Sequence, residues 1–222
     1  MSGQTSRPFV WYTHAPMPAL KGSLTYVRYF VDGELPADLS TFLKPIRLRA
    51  MKPLDPAEDV AERSGWCRVD EPFATDLAYG DVFFNEYVNL GFRTDRWAIP
   101  GPLLRAKLRE AEAAVVAKKG RERLSRRERT ELKDLVTKRL RREVPPSMRV
   151  VDLSWATGDG IVRFFSQSPR TGALVQELFL KTFGLRLVPE APYTLAARVG
   201  LTRAQDKAWE GLEPLTLARE GA

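Results

Sequence analysis

Apolar positions along this 222-residue chain recur with a period near two in some stretches and near four in others, and the switches mark its elements. SLTYVRYFV at 23–31 is aromatic and β-branched and predicts a first strand. Beyond Glu34-Leu35-Pro36-Ala37-Asp38, Leu39, Phe42 and Leu43 share one side of a short helix. Residues 45–72 are rich in proline and charge and predict a long loop or a small irregular excursion. DVFFNEYVNLGF at 81–92 predicts another strand, on its run of aromatic and β-branched residues.

Helical spacing takes over in the middle. Pro100-Gly101-Pro102 marks a start, because a proline in the first helical turn gives up no hydrogen bond. Leu104, Leu108, Ala111 and Val115 form an apolar stripe down to about Lys118, and Gly120 interrupts it. Ser125 and Glu128 then match an S-x-x-E capping box, in which each side chain satisfies a free backbone N–H at the helix start. The helix they open is expected over 126–143, with Leu132, Leu135, Val136 and Leu140 as its buried stripe and Pro145-Pro146 as its stop. Two helices joined by a short basic link predict a helical hairpin or a sharply bent arm.

After the prolines the period shortens again. MRVVDLSW (148–155) and GIVRFFS (160–166) flank Ala156-Thr157-Gly158-Asp159, a hairpin signal because glycine tolerates positive φ. Ser168-Pro169 opens a third helix with Leu174, Val175, Leu178 and Phe179 on its apolar side. Gly184 ends it, and LRLVP (185–189) reads as a closing strand. An amphipathic helix is expected around 204–212. The order gives an α+β fold: a mixed or antiparallel sheet with helices packed on it and a basic helical arm inserted at about 101–144. Residues 1–22 read as an irregular segment, 23–195 as the α+β domain and 196–222 as a tail.

Composition adds exclusions. Hydrophobic residues make up 44% and charged residues 28%, ordinary for a soluble globular protein. No apolar run approaches the roughly 20 residues that cross a bilayer, so no membrane association is expected. MSGQTSRPFVWYTHAPMPALKG lacks a charged region followed by a continuous apolar block, so no signal peptide is expected. Cys67 is the only cysteine; no internal disulfide can form, a reducing cytoplasmic compartment fits, and a small, partly buried residue is the expected role. A single histidine, His14, weighs against a Cys/His zinc site, a multi-His centre and a Ser-His-Asp triad. No cofactor, no metal site and no catalytic residue are expected.

Charge is unevenly spread along the chain. The chain carries a net +7, yet residues 101–149 alone hold 16 basic and 7 acidic residues, or +9. The remainder holds 19 basic and 21 acidic residues, or −2. Such a local excess is the footprint of a polyanion ligand. Composition alone balances that reading evenly against a solvated helix laced with i,i+4 pairs such as Arg127–Glu131 and Asp134–Lys138.

Several features, in one order, resemble the RdgC family of recombination-associated DNA-binding proteins. They are Gly65-Trp66, the strand leading to Ile99-Pro100, RERLSRRERTELKDLV (121–136), the hairpin DLSWATGDGIVRFF, the helix after Ser168, and Phe183-Gly184-Leu185. The resemblance spans roughly 23–190. It implies a bacterial, nucleoid-associated, cytoplasmic protein that binds duplex DNA with little sequence preference and restrains recombinase filaments. It also implies a homodimer, which in the family is a ring around DNA. The chain departs from the family in lacking most of the long C-terminal region after about residue 195. It departs again in reading Arg142-Glu143-Val144-Pro145-Pro146-Ser147 where the family has a basic, phenylalanine-containing segment. Ring closure is therefore not carried over.

The candidate DNA contacts are Lys118, Lys119, Arg121, Arg123, Arg126, Arg127, Arg129, Lys133, Lys138, Arg139, Arg141 and Arg142. Duplex DNA binds cations by releasing condensed counterions, and the planar arginine fork donates paired hydrogen bonds to phosphate. Arg121, Arg123, Arg126 and Arg127 also cluster at a helix N-terminus. On a wheel at about 100° per residue, Arg126 and Arg129 lie at the edge of the apolar arc. Lys138, Arg141 and Arg142 lie nearly opposite, so the charges surround the helix. No aromatic residues interleave to stack unpaired bases, which favours duplex over single strands and leaves little means of reading sequence. Two other readings compete. A Mg-dependent nuclease of the PD-(D/E)xK type finds its letters in Glu131-Leu132-Lys133, but inside a helical stretch. Asp152 and Asp159 flank the hairpin, where Asp159 is more simply a turn residue. The third reading is a protein-interaction module whose arm docks an acidic partner.

Overall fold

The computed structural model describes residues 25–69, 71–120 and 123–212. The segment 1–22, with His14, lies outside the described residues. In chain order, β1 (Val27–Asp32) leads through a 3-10 turn (Leu39–Phe42) into α1 (Leu43–Leu48). Next come β2 (Glu62–Cys67), α2 (Tyr79–Val82), β3 (Phe83–Phe84) and β4 (Tyr87–Arg96). The arm is α3 (Gly101–Lys119) and α4 (Arg126–Glu143). The chain then returns through β5 (Ser147–Ala156), β6 (Ile161–Phe164), α5 (Pro169–Phe183), β7 (Arg186–Pro189), α6 (Pro192–Val199) and α7 (Arg203–Glu210).

The strands form one seven-stranded antiparallel sheet in the order β2-β4-β5-β6-β1-β7, with β3 paired to the start of β4. Period-two alternation gives it one apolar face: Phe92 stands opposite Val151, and Leu90 opposite Leu153. The apolar side of α5 (Val175, Phe179, Phe183) and of α1 (Ile46) closes over that face around Trp66 and Trp155. Trp155 packs edge-on against Phe179 and Phe183 at 5.3 and 5.4 Å, and Trp66 Nε1 donates to Thr182 Oγ1 at 2.9 Å. The α+β class is therefore as expected.

Of the two sheet forms expected, the antiparallel one is found: every strand pairing is antiparallel, and an isolated parallel bridge joins Ala50 to Trp66. Several local expectations are corrected. The supposed loop at 45–72 contains the second half of α1 and the edge strand β2. Glu-Arg-Ser-Gly-Trp-Cys has weak strand propensity, and six successive pairings with β4 overcome it. The single strand expected at 81–92 is a helical turn, then a β3–β4 hairpin reversing at Asn85, which takes the left-handed φ of 51° that asparagine tolerates. Helix α6, not anticipated, crosses residue 195 and is fastened to the sheet: Arg198 lies 4.4 Å above the Phe30 ring and donates to Asp159 O at 2.9 Å.

Candidate nucleic-acid interface

The arm forms where local signals place it. Pro102 sits in the first turn of α3, and Gly120 ends the helix with a left-handed φ of 60°. Ser125 Oγ accepts from Glu128 N–H at 3.3 Å, and Glu128 Oε2 accepts from Ser125 N–H at 2.9 Å, so both halves of the capping box close. Lys119 Nζ, 2.6 Å from Glu128 Oε1, ties the end of α3 to the start of α4. That bond, with the Ser125 N–H, holds the Glu128 carboxyl down at about 2.

At 1.5 Å per residue the two helices are each about 27–29 Å long, and α3 and α4 pack mainly on each other. Val136 and Leu140 are buried and Leu132 half-buried, while α3 buries no residue fully. Leu135, expected in the stripe, is 65% exposed. The inward row runs Leu132, Val136, Leu140 at steps of four, and Leu135 lies one position off it. Between the helices a shallow groove of about 360 Å³ runs past Ala111, Val115 and Val136.

The basic side chains divide into three sets. Arg129 reaches across to Glu112 at 2.9 Å, and Arg127 and Arg139 pair along α4 with Glu131 and Glu143 at 2.8 and 3.2 Å. The paired guanidiniums stay accessible, with Arg127 and Arg139 side chains 89% and 83% exposed. Lys118, Arg123, Arg126, Lys133, Lys138 and Arg142 are exposed and make no ion pair among the described residues; the expected Asp134–Lys138 pair does not form. Arg141 differs. Its side chain is 10% exposed, donates to Glu58 O at 3.0 Å and lies 3.9 Å from Asp59, which anchors the base of the arm to the loop before β2. Arg121 lies outside the described residues.

The residues named for other chemistry sit elsewhere. Glu131 and Lys133 are exposed on a helix, not on adjoining strands. Asp159 occupies the β5–β6 turn. Asp152 is buried on the sheet face away from α5, near Cys67, Arg93 and Asp95, and burial pushes its carboxyl up to about 6. Cys67 is fully buried, its thiol donates to Gly91 O at 3.4 Å, and burial pushes it up to about 12, which makes it an inert core residue. No helix among the described residues is long and apolar enough to cross a membrane. The chain matches no known family model, and no curated protein matches it.

Proposed function

We propose that this protein binds duplex DNA through the α3–α4 arm without reading base sequence, as an RdgC-like protein that modulates recombination or replication on the bacterial nucleoid. The supporting observation is the arm's unneutralised charge. The +9 of residues 101–149 lies almost wholly on one helical hairpin, where exposed Lys118, Arg123, Arg126, Lys133, Lys138 and Arg142 have no acidic partner among the described residues. Cations on several sides of a rod suit phosphates, which line both walls of a DNA groove, and give no means of aligning side chains with base edges. Arg141 serves as the anchor that holds the rod to the loop before β2. The homodimer and the recombinase filament as partner belong to the same proposal and rest on the family likeness.

Titration against two unrelated duplexes tests it. Affinities should agree within a few fold. If about six phosphates are contacted, both should fall about a thousandfold between 50 and 200 mM salt. Replacing Arg126, Arg127, Lys138 and Arg139 by alanine should weaken both duplexes equally and leave the circular dichroism unchanged. A flat salt response, or a quadruple variant that binds like the parent, would refute the reading. Mg²⁺ in parallel tubes reports cleavage.

A further inference from the structure

At the root of the arm, on the helix-covered face of the sheet, a solvent-open cavity of about 270 Å³ lies between the end of β4, the start of β5 and the start of α5. Its polar lining follows from register. Thr94 stands opposite Arg149 and Arg96 opposite Ser147, so the face that carries Phe92 and Val151 continues outward as a patch of hydroxyls and guanidiniums. Arg170 of α5 completes three arginines around one space. A single acid, Glu62, lines the same cavity, and it is paired with Arg170. Arg96 has no ion pair among the described residues, and Arg149 makes only a long 3.5 Å hydrogen bond to Ser166 Oγ.

We propose that this cavity is a seat for a phosphate group. Forks arriving from β4, β5 and α5 suit a tetrahedral oxyanion with acceptors on every side; a flat carboxylate is saturated by one or two. The helix start adds little, since Pro169 has no N–H and the Thr171 N–H already donates to Ser168 Oγ at 3.4 Å. The attraction comes from the side chains. The phosphate belongs either to a nucleic-acid backbone or to a free phosphate-bearing small molecule. The seat stands on its own geometry, so its failure would leave the arm's role untouched.

The probe is inorganic phosphate, titrated into the isotopically labelled full chain at constant ionic strength with chloride as the balancing anion. Backbone amides at Ser147, Arg149, Arg170 and Thr171 should shift saturably. Arg96→Gln with Arg149→Gln should weaken the site about tenfold or more, and Glu62→Gln, which removes the competing carboxylate, should tighten it. A merely structural role would not move the two variants in opposite directions. Should the double variant melt early, Arg96→Gln alone serves, its side chain being exposed. Absence of saturable shifts in the parent chain, or equal affinity in parent and arginine variants, overturns the proposal. Duplex titration of the double variant then fixes the source: weakened binding assigns the seat to a backbone phosphate, and unchanged binding to a free compound. The quadruple arm variant should keep its phosphate shifts in both cases.

Discussion

Gly65 and Trp66, at the centre of β2, are architectural. A Cβ on Gly65 would sit 2.5 Å from Met51 Cα and 2.7 Å from Met51 N, both backbone atoms that cannot swing aside. That approach exists because β2 is clasped from its outer edge: Met51 N–H donates to Trp66 O at 2.7 Å, and Trp66 N–H donates to Arg49 O at 3.0 Å. Gly65→Ala should therefore cost about 1–3 kcal/mol, measurable by denaturant unfolding; a cost within error would mean that the clasp is soft. Asp152 is the opposite kind of residue, a buried carboxyl whose neighbours Cys67, Arg93 and Asp95 do not relieve it, since Arg93 is committed to Asp95 at 2.6 Å. Its folded value of about 6 lies above the ordinary 3.8, so the folded state holds the proton more tightly than the unfolded one. The resulting penalty is absent below the unfolded value and complete above about pH 6. Asp152→Asn should raise Tm near pH 8 and bring no gain near pH 4, and an unchanged Tm near pH 8 would show that the carboxylate is well solvated.

Among the elements, those with local punctuation were readable from sequence and those made by partners were not. Helix α4 starts at its capping box and stops before its prolines, and α5 ends on Gly184 with a left-handed φ of 70°. Strand β2 carries neither alternation nor β-branched residues, and only its pairing with β4 and the Met51 clasp define it. The split of 81–92 depends on one backbone angle at Asn85, which composition does not encode. The cavity at the arm's root was invisible for the same reason: Arg96, Arg149 and Arg170 are far apart in sequence, and the β4–β5 register and the docking of α5 bring them together. Because the arm packs mainly on itself, its stability is local. Ser125→Ala should remove about 1 kcal/mol from the start of α4 and speed amide exchange at residues 126–130. Exchange at β4 and β5 should stay as it was; a matching acceleration there would mean that arm and sheet unfold as one unit.

For the molecule as a whole, the decisive relation is that β4 and β5, which flank the arm, are themselves antiparallel neighbours paired from Tyr87↔Ala156 to Arg96↔Ser147. The arm is thus an insertion in the turn of a β-hairpin, and everything between residues 97 and 146 is, in topology, a very long loop. The main apolar cluster contains no residue from that span; Val136 and Leu140 are buried in the arm itself. The positive excess lies in the same span, so the chain keeps its packing and its charge in separate places. Replacing residues 97–146 by an Asn-Gly turn should therefore yield a folded protein, since that dipeptide closes two antiparallel strands with the right twist. What is lost besides the arm is the Arg141–Glu58 anchor and the Trp97 N–H bond to Ala61 O at 3.0 Å, both at the sheet's edge. The near-ultraviolet circular dichroism of the packed Trp66 and Trp155 should persist, with a cooperative melt a few degrees lower. Duplex affinity should drop to background while Arg96 and Arg149 still hold inorganic phosphate. A shortened chain that melts without cooperativity would show that the arm is part of the folding unit. One that folds and still binds DNA would move the interface from the arm to the sheet.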